Sequence, residues 1–536
     1  MKKLIEKYKK IIQKNYAAGA VHFYGSERGG AIPKNDSELN AAFANILGGI
    51  QSRQLSSSGA ILRLEELKAF YNDKTEPYGN WWYWEIGIPR SLNQIFTLIY
   101  DSAPKKLLDE YMSAERRFCG SIKMTGANRL WESEIFAVRG ILSGREDEVS
   151  AAIDGIKSLF TYAECGDGFY RDGSFIQHEC IAYNGGYGLS MLSGLADMIR
   201  LFGISGNIVY EWIEKSFLPF MYKGVFMDMV RGREISRYYS TAEYAYKKAE
   251  YFIKELGGAN AAEDGFYYFE RMDRAVYKKN GFAAGLSMQS GKTAAYESIN
   301  NENMTAWHTG DGMLYLYTDP TRFSGSFFPC ADMEAMPGTT IIRGEYPVPN
   351  KPCGESFSGG AKTDCGGICA MRLAPRGTRL KAKKAWFFLD GCIVCLGADI
   401  TRGAETIIEN IMLEDESTVE ISGGRVYVKR SEEDYGLTVL CADMEIKSER
   451  RKGSWENISS VSDGRQYSAE FLTMYKKHEE SSTYEYILIP GERENADGAA
   501  DIEIIENTNF VQSVKYRGAV YSVIWEKDKV KIICGE

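Results

Sequence analysis

Between residues 61 and 202 the apolar positions recur every three to four residues. ILRLEELKAFYND, SLNQIFTLIYDSAPKKLLDEYMSAE, EIFAVRGILSG, EVSAAIDGIKSLFTY and GLSMLSGLADMIRLF each place their aliphatic and aromatic side chains on a helical stripe. The opening MKKLIEKYKKIIQKNY alternates lysine with apolar residues at the same period and predicts an amphipathic helix. Short links with glycine or proline, such as YGNWWYWEIGIPR and GDGFYRDG, separate these runs. Repeated helix–loop–helix units pack as a toroid or as a bundle, and the hydrophobic pattern alone does not choose between them.

Beyond about residue 290 the period changes. KKAWFFLDGCIVCLGADI, STVEISGGRVYVKR, STYEYILIP and AVYSVIWEKDKVKIICG predict strands joined by polar turns. Alternation fails inside WFFL and CIVCL, as expected of strands covered on both faces. Large stacked antiparallel sheets are therefore predicted. No short repeat and no Pro- or Ser-rich linker marks the change near 275–290, so it is a change of period and not a flexible hinge.

Composition narrows the function classes. A chain of 536 residues is long enough for two substantial cores. With 44% hydrophobic residues it is neither disordered nor fibrous. The net charge of -9, from 64 basic and 73 acidic residues, argues against a nucleic-acid partner while leaving room for a local basic cleft. The absence of a long apolar run argues against a membrane partner. Eleven cysteines in a long chain, and an N-terminus without an apolar signal stretch, point to reduced thiols and a cytoplasmic location. Cys392 and Cys395 of CIVC with the separate Cys365/Cys369 pair could hold zinc if folding brought all four together, but CIVC lies in an apolar strand-like run and neither pair fixes the other's position, so packed free thiols are expected. His308 and His478 have no metal-ligand spacing either, and no nucleotide-binding fingerprint is present. No cofactor is expected.

Candidate chemistry gathers elsewhere. DGSFIQHECIAYNGGYG places His178 nine residues before Tyr187, through a segment read as a loop or helix start. A tyrosine titrates near about 10 and needs electrostatic help to take a proton at neutral pH. Arg233 and Arg237 in VRGREISR would share one face of a helix and could supply that help, or form a solvated positive face. Asn128 in MTGANRLWESE offers a neutral amide to a carboxylate, or caps a helix. Glu302 in SINNENMTAWHTGDGM can orient an arginine or the tyrosine hydroxyl, or be an ordinary loop residue. Trp81 and Trp82, with Asn80 beside them, form either a carbohydrate platform or core packing between helices.

Taken together, NWWYWEIGIPR, TGANR, DGSFIQHECIAYNGGYG, RGREISR, NNEN…WHTGDGMLYLY, MPGTT, WFFLDGCIVCLGADI and TYEYILIP resemble polysaccharide lyase family 8, which contains hyaluronate, chondroitin AC and xanthan lyases. These pieces keep their order from about 78 to 490. The resemblance implies an α+β multidomain fold: an N-terminal incomplete α/α-toroid (1–280), a large antiparallel β-sandwich domain (281–505) and a short β remnant (506–536), with a catalytic cleft between or beside the first two. It implies β-elimination on an acidic polysaccharide or oligosaccharide by a monomer. In that scheme Asn128 neutralises the uronate carboxylate and His178 and Tyr187 form the catalytic pair. Arg233 and Arg237 bind substrate and tune the tyrosine, and Glu302 supports them. Hyaluronan or chondroitin is the first expectation for the substrate, with a xanthan-like glycan second. Family members commonly act outside the cytoplasm, which conflicts with the missing signal, and the segment after about 505 looks short for the usual last β domain. A glycoside hydrolase with two carboxyl groups and a noncatalytic carbohydrate-binding protein are the alternatives.

Overall fold

The helical period is realised in the computed structural model, which describes residues 1–20, 32–258, 261–279, 281–480, 482–493, 501–526 and 529–535. Helices span Lys2–Ala17, Asp36–Gln51, Ser57–Leu67, Ile88–Leu98, Lys105–Phe118, Gly126–Ser143, Glu146–Lys157, Leu189–Phe202 and Ala242–Leu256. The periodic run from 91 to 115 is split in two: the first helix ends at Leu98, capped by Ile99, and Pro104 stands at the N-cap of the next. Asn35 and Ser56 cap their helices by accepting from the N–H groups of Glu38 and Gly59.

The chain forms two units. The first comprises Met1–Tyr162, Tyr187–Glu211 and Lys247–Ala259. Its helix Gly126–Ser143 is buried on nearly every side, charged residues included. Those charges are matched one by one. Arg90 Nε donates to Glu134 at 2.9 Å, while Arg116 and Arg139 converge on Glu148 at 2.7 and 3.2 Å. Glu132 accepts from the backbone N–H groups of Lys123 and Met124. The helix stops at Gly144, whose φ of 72° is left-handed and costs glycine nothing.

The second unit comprises Ala163–Gly186, Trp212–Tyr246 and Asn260–Glu536. Its largest sheet runs in the order Phe357–Thr363, Gly366–Leu373, Ala382–Leu389, Cys392–Ala398, Tyr484–Pro490, Leu437–Leu440, Arg425–Lys429 and Thr418–Ser422, each pair antiparallel. The two faces of this sheet serve two cores. Trp386, Phe388, Ile393 and Cys395 enter the larger one. Their neighbours Ala385, Phe387, Val394 and Leu396 point the other way, onto Val514, Val523 and Trp525 of the C-terminal sheet. That is why WFFL and CIVCL read as continuous apolar runs. Cys369, Cys392 and Cys395 are buried free thiols; burial pushes Cys392 up to about 11 and Cys395 up to about 12.

One buried carboxyl of the first unit, that of Glu115, lacks the direct pairing these groups have. Neither carboxyl oxygen of Glu115 has a hydrogen-bond partner among the described residues. Burial pushes this group up to about 8, against the opposing charges of Arg139 and Arg116. A folded-state value above the unfolded one gives stability that is complete below the ordinary carboxylate range and fades as pH rises toward about 8. At about 1.4 kcal/mol per unit, Glu115 should withdraw about 3 kcal/mol of unfolding free energy between about pH 5 and pH 8. Urea unfolding at several pH values should show Glu115→Gln with a flatter profile than the wild type; parallel profiles would refute the assignment.

Candidate active site

In the second unit, the segment around His178 is a tight antiparallel hairpin. Strands Phe175–Gln177 and Ile181–Ala182 pair, and the turn between them holds His178 and Glu179 at φ 53° and 67°. Two consecutive side-chain-bearing residues in left-handed backbone are uncommon, and such conformations concentrate where function requires them. The turn sets His178 Nδ1 2.5 Å from Glu297 Oε1, with Glu297 wholly buried and His178 32% exposed.

Burial alone would push Glu297 up. The hydrogen bond with His178, the charge of Arg233 and the hydroxyl of Tyr183 outweigh it and hold the carboxyl down to about 2. An ionised carboxylate only accepts, so the hydrogen between the two groups belongs to His178 Nδ1. That leaves Nε2 as the nitrogen not committed to Glu297.

The arginines are joined by an acid and not by a helix. Gly232–Ser236 is a 3-10 turn and Arg237 follows it in extended backbone, so the expected shared helical face does not form. Instead Glu302 Oε2 accepts from Arg233 Nε at 3.2 Å and from Arg237 Nε at 2.8 Å. Arg233 Nη1 reaches on to Glu297 Oε2 at 3.2 Å. Tyr183, fully buried, accepts from the Arg233 backbone N–H at 3.0 Å. Gly186 and Gly232, the latter at φ 54°, lie so close to the Tyr183 ring that a Cβ on either would overlap it. The asparagines of SINNEN have a local reason: Asn300, Asn301 and Asn303 sit at φ 57–58°, where asparagine is tolerated better than most residues. The curled loop is tied down by Asn303, whose Nδ2 donates to the Glu297 carbonyl and whose N–H donates to Ser236.

The first unit carries the other expected residues. Asn128 lies in the first turn of Gly126–Ser143, and its Oδ1 is buried without a hydrogen-bond partner among the described residues. One turn on, Trp131 packs on Tyr187 with ring centroids 5.8 Å apart and meets Trp82 edge-on at 5.8 Å. The Arg90 guanidinium lies 5.3 Å from the Trp131 centroid. Tyr187 stands in a single π-helical turn, Asn184–Gly188, ahead of Leu189–Phe202; such turns recur at functional sites. NWWYW divides its aromatics: Trp84 is core, Trp82 half-buried and Trp81 45% exposed. Asn80 Oδ1 caps the turn by accepting from the Trp82 N–H at 3.0 Å.

The structure thus joins His178, Arg233, Arg237 and Glu302 in the second unit and groups Tyr187 with the Trp82 side of the aromatic segment in the first. Three participants escaped the sequence reading. Glu297 was signalled only by bracketing the asparagine run opposite Glu302. Tyr183 lay inside the quoted hairpin, and Trp131 sits one helical turn beyond Asn128.

Comparison with known proteins adds the family. The polysaccharide lyase family 8 N-terminal alpha-helical domain matches residues 66–266, and the family 8 super-sandwich domain matches 264–499. The chain belongs to polysaccharide lyase family 8. It is 32% identical to a xanthan lyase of Bacillus sp. (strain GL1), over 83% of this chain and 58% of that one. A hyaluronate lyase of Thermasporomyces composti is 28% identical, over 85% of this chain and 71% of its own. The structure of a Streptomyces coelicolor A3 chondroitin AC lyase in complex with chondroitin sulphate superposes with a TM-score of 0.84 at 25% identity, covering 98% of this chain and 85% of that one. The fold of this family 8 chain is accordingly an N-terminal α/α-toroid followed by an antiparallel β-sandwich region.

In this family 8 chain Glu297 joins the His178 imidazole and the Arg233 guanidinium from separate segments, so removing it strands both. Glu297→Ala should cost about 3–5 kcal/mol in urea unfolding at neutral pH, the typical loss when a buried pair is broken from one side. Because its folded value is depressed, this stabilisation is present above the ordinary carboxylate range and is lost as pH falls toward about 2. A cost below about 1 kcal/mol, the level of a solvated pair, would contradict the account.

Proposed function

We propose that this chain is a lyase that cleaves a uronate-containing polysaccharide by β-elimination, with Asn128, His178 and Tyr187 as its reacting residues. The observation that carries this reading is the His178 imidazole, held at Nδ1 by a buried ionised carboxylate in a chain of a lyase family.

The Asn128 amide hydrogen-bonds the uronate carboxylate and stabilises the charge that develops there as C5 loses its proton. Tyr187, as phenolate, takes that proton. The C5–H electron pair becomes the C4–C5 double bond, the bond from C4 to the departing oxygen breaks, and the Tyr187 hydroxyl returns the proton to that oxygen. His178 Nε2 orients the ring. Arg233 and Arg237, both bound to Glu302, supply positive charge and fix the loop that carries Glu297. Trp81, Trp82 and Asn80 line the path of the glycan chain. The step consumes no water, which separates it from hydrolysis.

A second reading has its own support. With Nδ1 committed to Glu297, a neutral His178 has its lone pair on Nε2, so His178 can take the C5 proton while Tyr187 protonates the leaving oxygen. For the substrate, a hyaluronan- or chondroitin-type glycan is favoured by the hyaluronate and chondroitin AC lyase relatives. The xanthan lyase relative, at 32% identity, supports a xanthan-type glycan as the alternative.

Incubation with defined hyaluronan, chondroitin and xanthan oligosaccharides, followed by mass and ultraviolet analysis, tests the reaction. The expected products sum to the substrate mass and carry a new conjugated double bond; products heavier by one water per cleavage, without that absorbance, would reject elimination. Tyr187→Phe should lose roughly a hundredfold to ten-thousandfold in kcat while still binding the glycan. Elimination at the wild-type rate by that variant would exclude Tyr187 from proton transfer.

A further inference from the structure

The C-terminal sheet, Ile502–Asn507, Val511–Tyr516, Ala519–Trp525 and Val530–Cys534, borders a groove of about 560 Å³ together with strands Gly366–Leu373 and Ala382–Leu389. None of the groove's lining residues belongs to the cluster around Glu297. Two of its cations, Arg372 and Lys383, are direct partners across the strand pair. Like charges so placed repel and weaken a sheet unless something compensates them. Lys381, two residues before Lys383, projects on the same side and also lines the groove.

The contacts holding these cations include neutral carbonyls of the C-terminal region. Lys383 Nζ donates to the Asn509 carbonyl at 2.6 Å and lies 6.0 Å from the Trp525 ring centroid. Arg372 Nη2 donates to the Glu526 carbonyl at 2.9 Å. The Asn509 carbonyl aims the Lys383 ammonium without itself cancelling its charge. Beside them stands Phe510, at the tip of the hairpin that joins Ile502–Asn507 to Val511–Tyr516, 67% exposed.

Three carboxylates also line the groove, and they bear on its charge. Glu355 reaches Lys381 only at 3.9 Å and Asp399 reaches Lys383 only at 3.6 Å, both from side chains more than half exposed. Glu526 is drawn toward Lys529 at 3.3 Å. Exposed ion pairs at these distances are weak and yield readily to a competing anion. The groove therefore offers aimed cations on its floor, exchangeable acids on its rim and an uncovered aromatic face. A pyranose ring that carries an anionic group satisfies all three: its C–H face stacks on the aromatic ring and its carboxylate or sulfate ester meets the cations.

We propose that this groove is a second carbohydrate-binding site, which takes an acidic sugar of the polysaccharide and is separate from the catalytic residues. The choice of ligand rests on the lyase reading; the site itself rests on the groove. Occupied by a distant part of the same chain, it would raise the effective concentration of that chain at the protein and favour long substrates over short ones.

The test uses the full chain and the double variant Lys381→Glu/Phe510→Ala, whose side chains are largely exposed. Calorimetric titration of Tyr187→Phe protein with hexasaccharides of hyaluronan and of chondroitin sulfate should show two sites, and one site once the double variant is added. A neutral glucan hexasaccharide should leave the groove empty. If both acidic sugars fill it, the carboxylate is the group recognised; if only the sulfated one does, the sulfate ester is. In the protein with Tyr187 intact, the double variant should keep kcat/KM on a tetrasaccharide and lose roughly tenfold on the polymer. Unchanged stoichiometry with unchanged polymer kinetics, or equal binding of the neutral glucan, would overturn the proposal. Should the wild type eliminate none of these glycans, the lyase reading fails, while the titration, which needs no turnover, still decides the groove.

Discussion

The candidate site depends on one buried carboxylate. Glu297 has no access to water, yet both of its oxygens are engaged, one by His178 and the other by Arg233. Burying a lone carboxylate costs several kcal/mol, so the group is tolerable only because cationic and hydrogen-bonding partners close around it. Those partners come from a strained hairpin and a 3-10 turn, while the asparagine-rich loop carries Glu297 itself. Each of these segments has little regular secondary structure to hold it, and Glu297 and Glu302 provide the cross-links. The imidazole orientation, the arginine positions and the loop conformation are thus one linked arrangement.

The sheet region is fixed by a different constraint. A strand buried on both faces must satisfy two cores at once, and the register of Gly366–Leu373, Ala382–Leu389 and Cys392–Ala398 does so by sending alternate residues to opposite sides. A slip of one residue would exchange the two sets of side chains, so the register is tightly specified. The C-terminal sheet covers one of those faces, and the groove beside Phe510 lies at its margin.

Much of this was legible in the sequence. The switch from a period near 3.6 to a period near 2 located the helices and strands, and the failure of alternation in WFFL and CIVCL foretold the doubly covered sheet. His178, Arg233, Arg237 and Glu302 were named from short motifs, and the structure joins them. What the sequence could not supply was how they connect. Helical spacing suggested that Arg233 and Arg237 share a face, whereas a carboxylate 65 residues away from Arg237 brings them together. Glu297 lies 119 residues from His178, and no local pattern records that pairing. Trp81 and Trp82 looked equivalent on paper, and only tertiary packing separates the exposed ring from the half-buried one.

The claim on which the account turns is that an ionised Glu297 fixes the His178 proton on Nδ1. With four histidines in the chain, nitrogen-15 NMR of the imidazole groups is tractable. The account predicts a His178 signal with a strongly downfield proton on Nδ1, lost in Glu297→Gln, and an Nε2 that responds to added oligosaccharide. A His178 ring with its proton on Nε2 and an unprotonated Nδ1 would contradict it.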